Sequence, residues 1–298
     1  MRLRNIRIAV LFSALAIIFI QGIAGATHYP LTIRDTRGKM IRVMREPSRI
    51  ISTIPSNTEI LFSLGLGPKI IGVGKWDDYP AEAKRKPKIG DRTISVEKIL
   101  SLKPDLVFAH AQLNSDVIPT LERYGIKVIA VDPKTIGATM HDILLFGKVT
   151  NRENASKAVV NRIEAAESLV RKRLAGSKQH PKVLVSVQAD PLWAAGPGTF
   201  VDEMIRIAGG VNVAANAKPG FNQFSAEAAV YRRPDLIIGT TKGDRAVFTH
   251  GIWTSTPASR GKRIFEANPD ILVRPGPRLA NGILEMAKMI HPEIFGKR

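Results

Sequence analysis

The chain has 298 residues, of which 44% are hydrophobic and 23% charged, a globular composition that excludes a disordered or fibrous protein. Its formal net charge is +18, and it contains no cysteine. The lack of cysteine excludes disulfide frameworks, cysteine-ligated zinc, iron–sulfur clusters, a cysteine nucleophile and a lipid anchor attached through cysteine.

The first 26 residues have the pattern of a secretory signal peptide. Three arginines precede an apolar run over residues 8–20, and small residues follow at 24–26. The run is short for a membrane span of about 20 residues, which disfavours the alternative of an uncleaved anchor. We therefore predict a signal peptide over residues 1–26 and an exported, periplasmic protein with no lipid anchor, whose net charge is +18 − 3 = +15.

Residues 27–136 predict a first lobe in which strands and helices alternate. A turn at residues 36–38 is expected to connect a hairpin over 31–47. Ser56, with Glu59 three residues later, predicts a capping box at the start of the first helix. Short β-branched runs predict buried strands, and the segments between them predict helices. The strands are expected at 49–54, 69–73, 105–109 and 127–131, and further helices at 96–102 and 116–124.

A long helix is predicted between the two halves of the chain. From about Glu153 to Leu174, apolar residues recur at steps of three and four, and neither Gly nor Pro interrupts the run. Charged residues occupy the opposite face. We predict that the segment 137–176 is a stiff helical connection, rather than a flexible tether, to a second lobe over 177–298.

The second lobe repeats the first. In one pair of recurring segments, Glu59 and Glu203 each stand six residues before a glycine; in another, Glu97 and Glu227 each stand seven residues before a proline. Strands are expected at 182–187, 236–239 and 263–267, with a helix from Thr199. A repeat of about half the chain predicts an α/β protein with two similar lobes, each on a parallel-type sheet, and a ligand cleft between them.

Four aromatic side chains follow predicted strands, at the edge where open parallel sheets bind ligands. Trp76 and Tyr79 lie in a predicted loop of the first lobe, and Trp193 and Phe221 lie in predicted loops of the second. Each alone could fold back onto its own lobe. Together they predict a binding site for a large, flat, partly apolar ligand.

The repeated acids Glu97 and Glu227 each follow a serine helix cap by two residues. One interpretation is structural, because an acid interacts favourably with a helix N-terminus. The recurrence of the acid in both lobes of a basic chain favours another, in which two carboxylates dock onto a partner with matched arginine pockets.

An ordered series of segments over residues 31–298 resembles the substrate-binding proteins of bacterial ABC importers for iron complexes and cobalamin. The segments are RIISTIPSNTEILFSLGLG, DDYP, VEKILSLKPDLVFA, YGIKVIAVDP, SAEAAVYRRPDLIIG and RPGPRLANGILEMAKMIHPEIF. The resemblance implies two lobes joined by one helix with little hinge motion, no intrinsic cofactor, and a permease dimer with ATPase subunits as partner. It also implies that Glu97 and Glu227 are the docking acids.

The ligand implied by the resemblance is cobalamin, with a ferric siderophore or haem as the alternative. Trp76, Trp193 and Phe221 fall where cobalamin binders place cleft aromatics. Two positions depart from that pattern: Arg92 lies in a segment where those proteins tend to carry a tryptophan, and His110 replaces an aromatic residue. Arg92 would suit an anionic iron chelate, and His110 would suit haem as a candidate axial ligand.

Other functions fit the sequence less well. The six histidines form no metal-ligand spacing such as HxH, and the chain lacks GxSxG, HExxH, a P-loop and a GxGxxG after a strand, which disfavours a bare-metal site and an exported α/β enzyme. The basic runs at 84–88 and 171–173 are typical of solvated faces, so no nucleic-acid partner is expected. Arg274 is expected to face the cleft, and Arg278 either does the same or holds the C-terminal helix. We expect a monomer.

Overall fold

A computed structural model of the protein describes residues 27–90 and 93–296. The predicted signal peptide and Arg92 lie outside these residues. The strands are β1 (Leu31–Arg34), β2 (Met40–Val43), β3 (Ile50–Ser52), β4 (Ile70–Val73), β5 (Leu106–His110), β6 (Val128–Val131), β7 (Lys182–Gln188), β8 (Trp193–Ala195), β9 (Val211–Asn212), β10 (Phe221–Gln223), β11 (Leu236–Gly239) and β12 (Ile264–Glu266). The helices are α1 (Pro55–Ser63), α2 (Val96–Ser101), α3 (Ile118–Arg123), α4 (Ile136–Val149), α5 (Glu153–Leu174), α6 (Phe200–Ile207), α7 (Ala226–Tyr231), α8 (Asp244–Phe248), α9 (Pro257–Arg260), α10 (Pro269–Leu272), α11 (Leu279–Ile290) and α12 (Pro292–Phe295).

The first lobe is built on a four-stranded parallel sheet in the order β4-β3-β5-β6. Its strands are continuous apolar runs, because helices cover both faces of a parallel sheet and leave no solvated side. Ile50 and Ile51 in β3 are fully buried, and they belong to separate clusters on the two sides of the sheet. The predicted hairpin is also present, with β1 antiparallel to β2.

The second lobe is built on a mixed sheet in the order β10-β8-β7-β11-β12, with β9 pairing with the start of β7. The predicted strands β7, β11 and β12 are parallel to one another, and the short β9, which was not predicted, is parallel to β7. The sheet is extended by β8, which is antiparallel to β7, and by β10, which is antiparallel to β8. The prediction that Trp193 and Phe221 lie in loops is wrong, because they are the first residues of β8 and β10. Both strands have only three residues, so they carry too little period-two pattern to be recognised.

The connection between the lobes is helical, as predicted. The helix α5 spans Glu153–Leu174, and its buried residues include Val159, Ile163 and Val170. Helices α4 and α11, which follow the last strand of the first lobe and of the second lobe, both pack against α5. The two lobes are thus joined to one block of three helices.

Two predicted helix starts differ from the structure. The helix α1 begins at Pro55, and the preceding Ile54 makes no side-chain cap, so Ser56 and Glu59 do not form a capping box. Proline at the first turn supplies a favourable backbone geometry instead. The helix α3 begins at Ile118, two residues later than expected, because residues 111–117 form turns. The predicted caps Ser95 and Ser225 are confirmed, each accepting a hydrogen bond from a backbone N–H three residues later. The helix expected from Thr199 begins at Phe200, and Thr199 is its cap, accepting from the Asp202 N–H.

Candidate ligand-binding cleft

A cavity of about 740 Å³ lies between the two lobes at the carboxyl edges of their sheets. Its size falls in the range of small-molecule sites. Four prolines contribute to its walls, two from each lobe: Pro55, Pro133, Pro219 and Pro275. Phe200 and Phe221 also line it, with their ring centroids 6.0 Å apart in an edge-on arrangement. The walls are therefore largely apolar and stiff, and Phe221 lies where the sequence predicts a ligand contact.

A second cavity of about 340 Å³ extends the cleft over the first lobe. It shares Ile54, Pro55 and Leu113 with the cavity between the lobes, so the two form one continuous depression. Trp76 lines this extension and is 67% exposed, and Leu113 is 71% exposed. Nζ of Lys75 lies 5.3 Å from the centroid of the Trp76 ring, and the large exposed part of this side chain remains available for stacking on a ligand.

The other two predicted aromatic contacts lie elsewhere. Tyr79 is 46% exposed, and the guanidinium of Arg278 lies 4.2 Å from its ring centroid, so one face of the ring is already in a cation–π contact. Trp193 is 39% exposed, and β8 holds it directly opposite Gln223. As far as the structure describes these cavities, neither ring lines them.

His110 ends β5 and lines the cavity between the lobes, as expected, but both of its ring nitrogens have partners. Nδ1 accepts the backbone N–H groups of Gln112 and Leu113 at 3.2 Å, and Nε2 lies 3.3 Å from Oδ1 of Asp132. Burial lowers the pKa of His110, against the opposite effect of Asp132. A neutral ring with its proton on Nε2 satisfies all three partners, and neither nitrogen is then free for an axial bond to iron.

Arg274 lines the cavity as predicted, but its guanidinium is bound by acids. Nη1 lies 3.2 Å from Glu59 and 3.1 Å from Asp78, and Nη2 lies 2.8 Å from Asp270. These acids raise the pKa of Arg274. Because three carboxylates surround this one cation, its charge is compensated before any ligand arrives.

Arg278 holds the first lobe to the second. It donates to both oxygens of Glu59, at 2.7 Å from Nε and 2.6 Å from Nη2. Glu59 is 2% exposed, so this bidentate pair is shielded from water. Arg278 directly precedes α11 and is absent from the described lining of the cavity between the lobes, so its side chain links this last long helix to the first lobe through Glu59.

The described lining of the cavity between the lobes is close to electrically neutral. Its ionisable side chains are His110, Asp132, Lys134 and Arg274. Lys134 pairs with Asp132 at 2.6 Å, and Arg274 is compensated by its acids. The surplus positive charge of the chain is therefore not concentrated on these walls.

Asp77 anchors the loop that carries Trp76 and Tyr79. Its Oδ2 accepts hydrogen bonds from the Thr58 hydroxyl and from the Gly74 N–H, at 2.5 and 3.1 Å. Oδ1 is buried, and no hydrogen-bond partner for it exists among the described residues. Burial raises the pKa of Asp77 to about 6. The anchor thus carries a carboxyl group that is disfavoured as an anion.

Glu97 and Glu227 are exposed and lie in the first turns of α2 and α7, two residues after their serine caps. The Ser225 hydroxyl donates to Glu227 at 2.8 Å and, with a backbone N–H, lowers the pKa of this carboxyl. The two helices occupy equivalent places, since α2 leads into β5 and α7 leads into β11. Both acids therefore belong to the carboxyl edges of the sheets, where the cleft opens.

Residues 27–90 and 93–296 contain no group of three or more acidic or histidine side chains placed to hold a metal ion. In the same part of the chain, no helix combines the length and the apolar character that a membrane crossing requires.

Comparison with known proteins connects this cleft to one family. A family model described as "Periplasmic binding protein" matches residues 50–271. An uncharacterized ABC transporter substrate-binding lipoprotein of Bacillus subtilis, YvrC, is 36% identical over 276 residues, covering 90% of this chain and 87% of the relative. A vitamin B12-binding protein of Pectobacterium atrosepticum is 27% identical over 239 residues, covering 78% of this chain and 85% of the relative. The solved periplasmic heme-binding protein RhuT from Roseiflexus sp. RS-1 matches with a TM-score of 0.74 at 28% identity, covering 82% of this chain and 98% of that one.

Proposed function

The chain belongs to the periplasmic binding protein family, and from this premise we propose that it captures cobalamin between its lobes and delivers it to a membrane permease. Proteins of this family are solute carriers of ABC importers, so the chain works with a permease and ATPase subunits and has no catalytic residues. It carries no intrinsic cofactor, because the bound molecule is the cargo.

The near neutrality of the described lining of the cavity between the lobes is the observation that favours cobalamin over the alternatives. The corrin ring of cobalamin bears amides in place of free carboxylates, whereas haem carries two propionates and many ferric siderophores are anionic. An anionic ligand needs an uncompensated cation, but Arg274 is bound by three acids and Lys134 is paired. The prolines and Phe221 suit a large, mostly apolar ring. The vitamin B12-binding relatives support the same ligand.

Haem is the second candidate, because His110 lines the cavity and a solved relative is a heme-binding protein. Axial ligation by His110 requires its ring to leave Asp132 or the two backbone N–H groups. Haem binding would therefore displace an existing set of hydrogen bonds, whereas cobalamin binding needs no such change.

The decisive test is an absorbance titration of the purified protein with cyanocobalamin, haemin and a ferric siderophore, each followed by gel filtration. Cyanocobalamin is expected to co-elute with the protein at one molecule per chain. Co-elution of haemin with a shifted Soret band, without retention of cyanocobalamin, would reassign the ligand.

Delivery to the permease is assigned to Glu97 and Glu227. Both are exposed, and they occupy equivalent first turns in the two lobes. Two carboxylates on equivalent helices match a permease dimer that presents one arginine pocket in each half. In the same proposal the protein acts as an exported, periplasmic monomer, with one copy bridging both permease subunits.

A further inference from the structure

Two glutamates that the repeat makes equivalent, Glu59 and Glu203, each bind the opposite lobe. Glu59 belongs to α1 of the first lobe, and its carboxylate binds Arg274 and Arg278 of the second lobe. Glu203 belongs to α6 of the second lobe, and its Oε2 accepts the backbone N–H of Ile136 at 2.6 Å. Both are hydrogen bonds to a charged group, the stronger class in proteins.

The two contacts also have equivalent targets. Ile136 is the first residue of α4, which follows the last strand of the first lobe, β6. Arg278 directly precedes α11, the long helix that follows the last strand of the second lobe, β12. Each glutamate therefore reaches the beginning of the corresponding helix of the other lobe. At α4 the carboxylate also compensates the positive end of the helix dipole.

Both contacts border the cavity. The lining residues Pro55 and Ser56 precede Glu59 on α1, and they face Val273, Arg274 and Pro275 of the second lobe. At the other contact, the lining residues 132–134 precede α4, and residues 198–200 begin the segment that leads to Glu203. Any separation of the walls at these places must break one contact or the other.

We propose that Glu59 and Glu203 are positioning residues, the interlobe clamps, which together fix the width of the ligand cleft. The helix α5 alone connects the lobes at one side, and α4 and α11 both pack against it. The clamps bind the beginnings of α4 and α11. They therefore add two contacts between the lobes beside the cleft to the connection made by the three-helix block. They hold the lobes of the empty protein at a set separation and, if the proposed docking acids are correct, hold Glu97 and Glu227 at a set spacing as well.

The two clamps differ in the number of bonds they make and in their burial. Glu59 is only 2% exposed. It binds Arg278 through both carboxylate oxygens and also pairs with Arg274. The Glu203 contact is a single hydrogen bond to a backbone amide. We therefore expect Glu59 to contribute more resistance to opening than Glu203, and loss of both to exceed either alone.

The test measures the empty protein by pulsed electron paramagnetic resonance, so it is independent of the ligand. Because the chain has no cysteine, Lys98→Cys and Tyr231→Cys place one spin label on each lobe, at exposed sites of α2 and α7. Without further change, one narrow distance distribution is expected. In the background E59Q/E203A it is expected to broaden toward longer distances, because losing a charged hydrogen bond makes opening about tenfold or more frequent.

Matched variants separate clamping from general destabilisation. E122Q removes the pairs that Glu122 makes with Arg37 and Lys39 within the first lobe, so it should leave the distribution narrow. E203Q in place of E203A keeps an acceptor oxygen for the Ile136 N–H, so it should bring the distance distribution much of the way back to the narrow one. A folded E59Q/E203A protein with the wild-type distribution overturns the proposal.

A measurement on the unmutated protein covers the case in which E59Q/E203A does not fold. The amide of Ile136 stands in the first turn of a helix, where it has no partner within the helix. Bound to Glu203, it is expected to exchange its hydrogen slowly; exchange as fast as that of an open helix start contradicts the clamp. Neither result depends on whether cobalamin binds, so the failure of this proposal is distinct from the failure of the proposed ligand.

Discussion

At the scale of single residues, burial raises the pKa of Asp77, the side chain that anchors a loop of the candidate site. The carboxyl holds the loop of Trp76 and Tyr79 through Thr58 and Gly74, yet one of its oxygens has no described partner. Its sequence position between Trp76 and Tyr79, next to Asp78, gives no indication of burial. The pKa of about 6 follows from the fold, because only the folded chain removes the group from water.

Asp77 is expected to make the protein less stable as pH rises. Its pKa is about 6 in the folded chain against a usual 3.8, so its contribution to stability is complete below about pH 4 and is lost as pH rises through about 6. The loss amounts to about 3 kcal/mol. Guanidinium denaturation of wild type and D77N at pH 4.5, 6 and 7.5 measures it: the difference between the two proteins should change with pH. An unchanged difference contradicts the assigned pKa.

The exposed Trp76 is expected to contribute binding energy rather than stability. Trp76→Ala should weaken cobalamin binding by about tenfold, because an aromatic contact contributes on the order of 1 kcal/mol or more beyond its buried area, whereas Trp193→Ala should leave the affinity unchanged, because this ring lies outside the described lining of the cleft. Isothermal titration calorimetry measures the affinity. Tyr124→Ala is the matched control, since this ring is 65% exposed at the end of α3. Wild-type affinity in Trp76→Ala removes that residue from the site, and weakened binding in Trp193→Ala would place its ring in contact with the ligand.

At the scale of elements, local rules place helix starts well when the cap is a side chain. Ser95 and Ser225 each accept a hydrogen bond from the N–H three residues later, as their sequence context predicts, and Thr199 does the same at the start of α6. The capping-box prediction at Ser56 fails because a proline one residue earlier begins the helix, and Glu59 has stronger partners in the other lobe. A local rule cannot include a partner that is distant in the chain.

The crossing of α4 and α5 depends on a glycine. A Cβ on Gly147 would lie 2.1 Å from the Ser156 hydroxyl oxygen and 3.0 Å from the Arg152 carbonyl oxygen. Gly147→Ala should therefore destabilise the protein by about 1–3 kcal/mol through overpacking. Gly137→Ala in the same helix is the control, since its Cβ would meet nothing closer than 4.0 Å, and a neutral or slightly stabilising effect is expected. Thermal unfolding compares the two, and equal effects would show that the crossing tolerates a methyl group.

At the scale of the whole molecule, the chain is strongly basic, yet the described lining of the cavity between the lobes is close to neutral and two exposed acids stand in equivalent first turns of the two lobes. The positive charge is distributed away from the described cleft walls, where cations are paired. The net charge of +18 would by itself favour an anionic ligand, but the paired cations of the described lining do not. The overall charge is therefore a poor guide to the ligand.

Reversal of the docking charges is expected to separate transport from binding. Glu97→Lys with Glu227→Lys should reduce uptake by at least about tenfold while leaving the affinity for cobalamin unchanged, because both acids are exposed in the first turns of α2 and α7 and lie outside the described lining of the cleft. Uptake of labelled cobalamin by cells or by reconstituted vesicles measures transport. Glu82→Lys with Glu164→Lys, two other exposed acids, makes the same change in net charge and should transport normally. Loss of ligand affinity in the docking variant contradicts the assignment.

The sequence by itself determined the features that depend on neighbours in the chain: two α/β lobes, the helix Glu153–Leu174, the serine caps, and the equivalence of the repeated glutamates. The tertiary structure alone decided what depends on distant partners. The bonds from Glu59 to Arg278 and from Glu203 to Ile136 join residues 219 and 67 positions apart, and the first of them includes the arginine that covers Tyr79. Periodicity and capping rules describe a few consecutive residues, whereas the width and the charge of a cleft are set by which side chains meet across it.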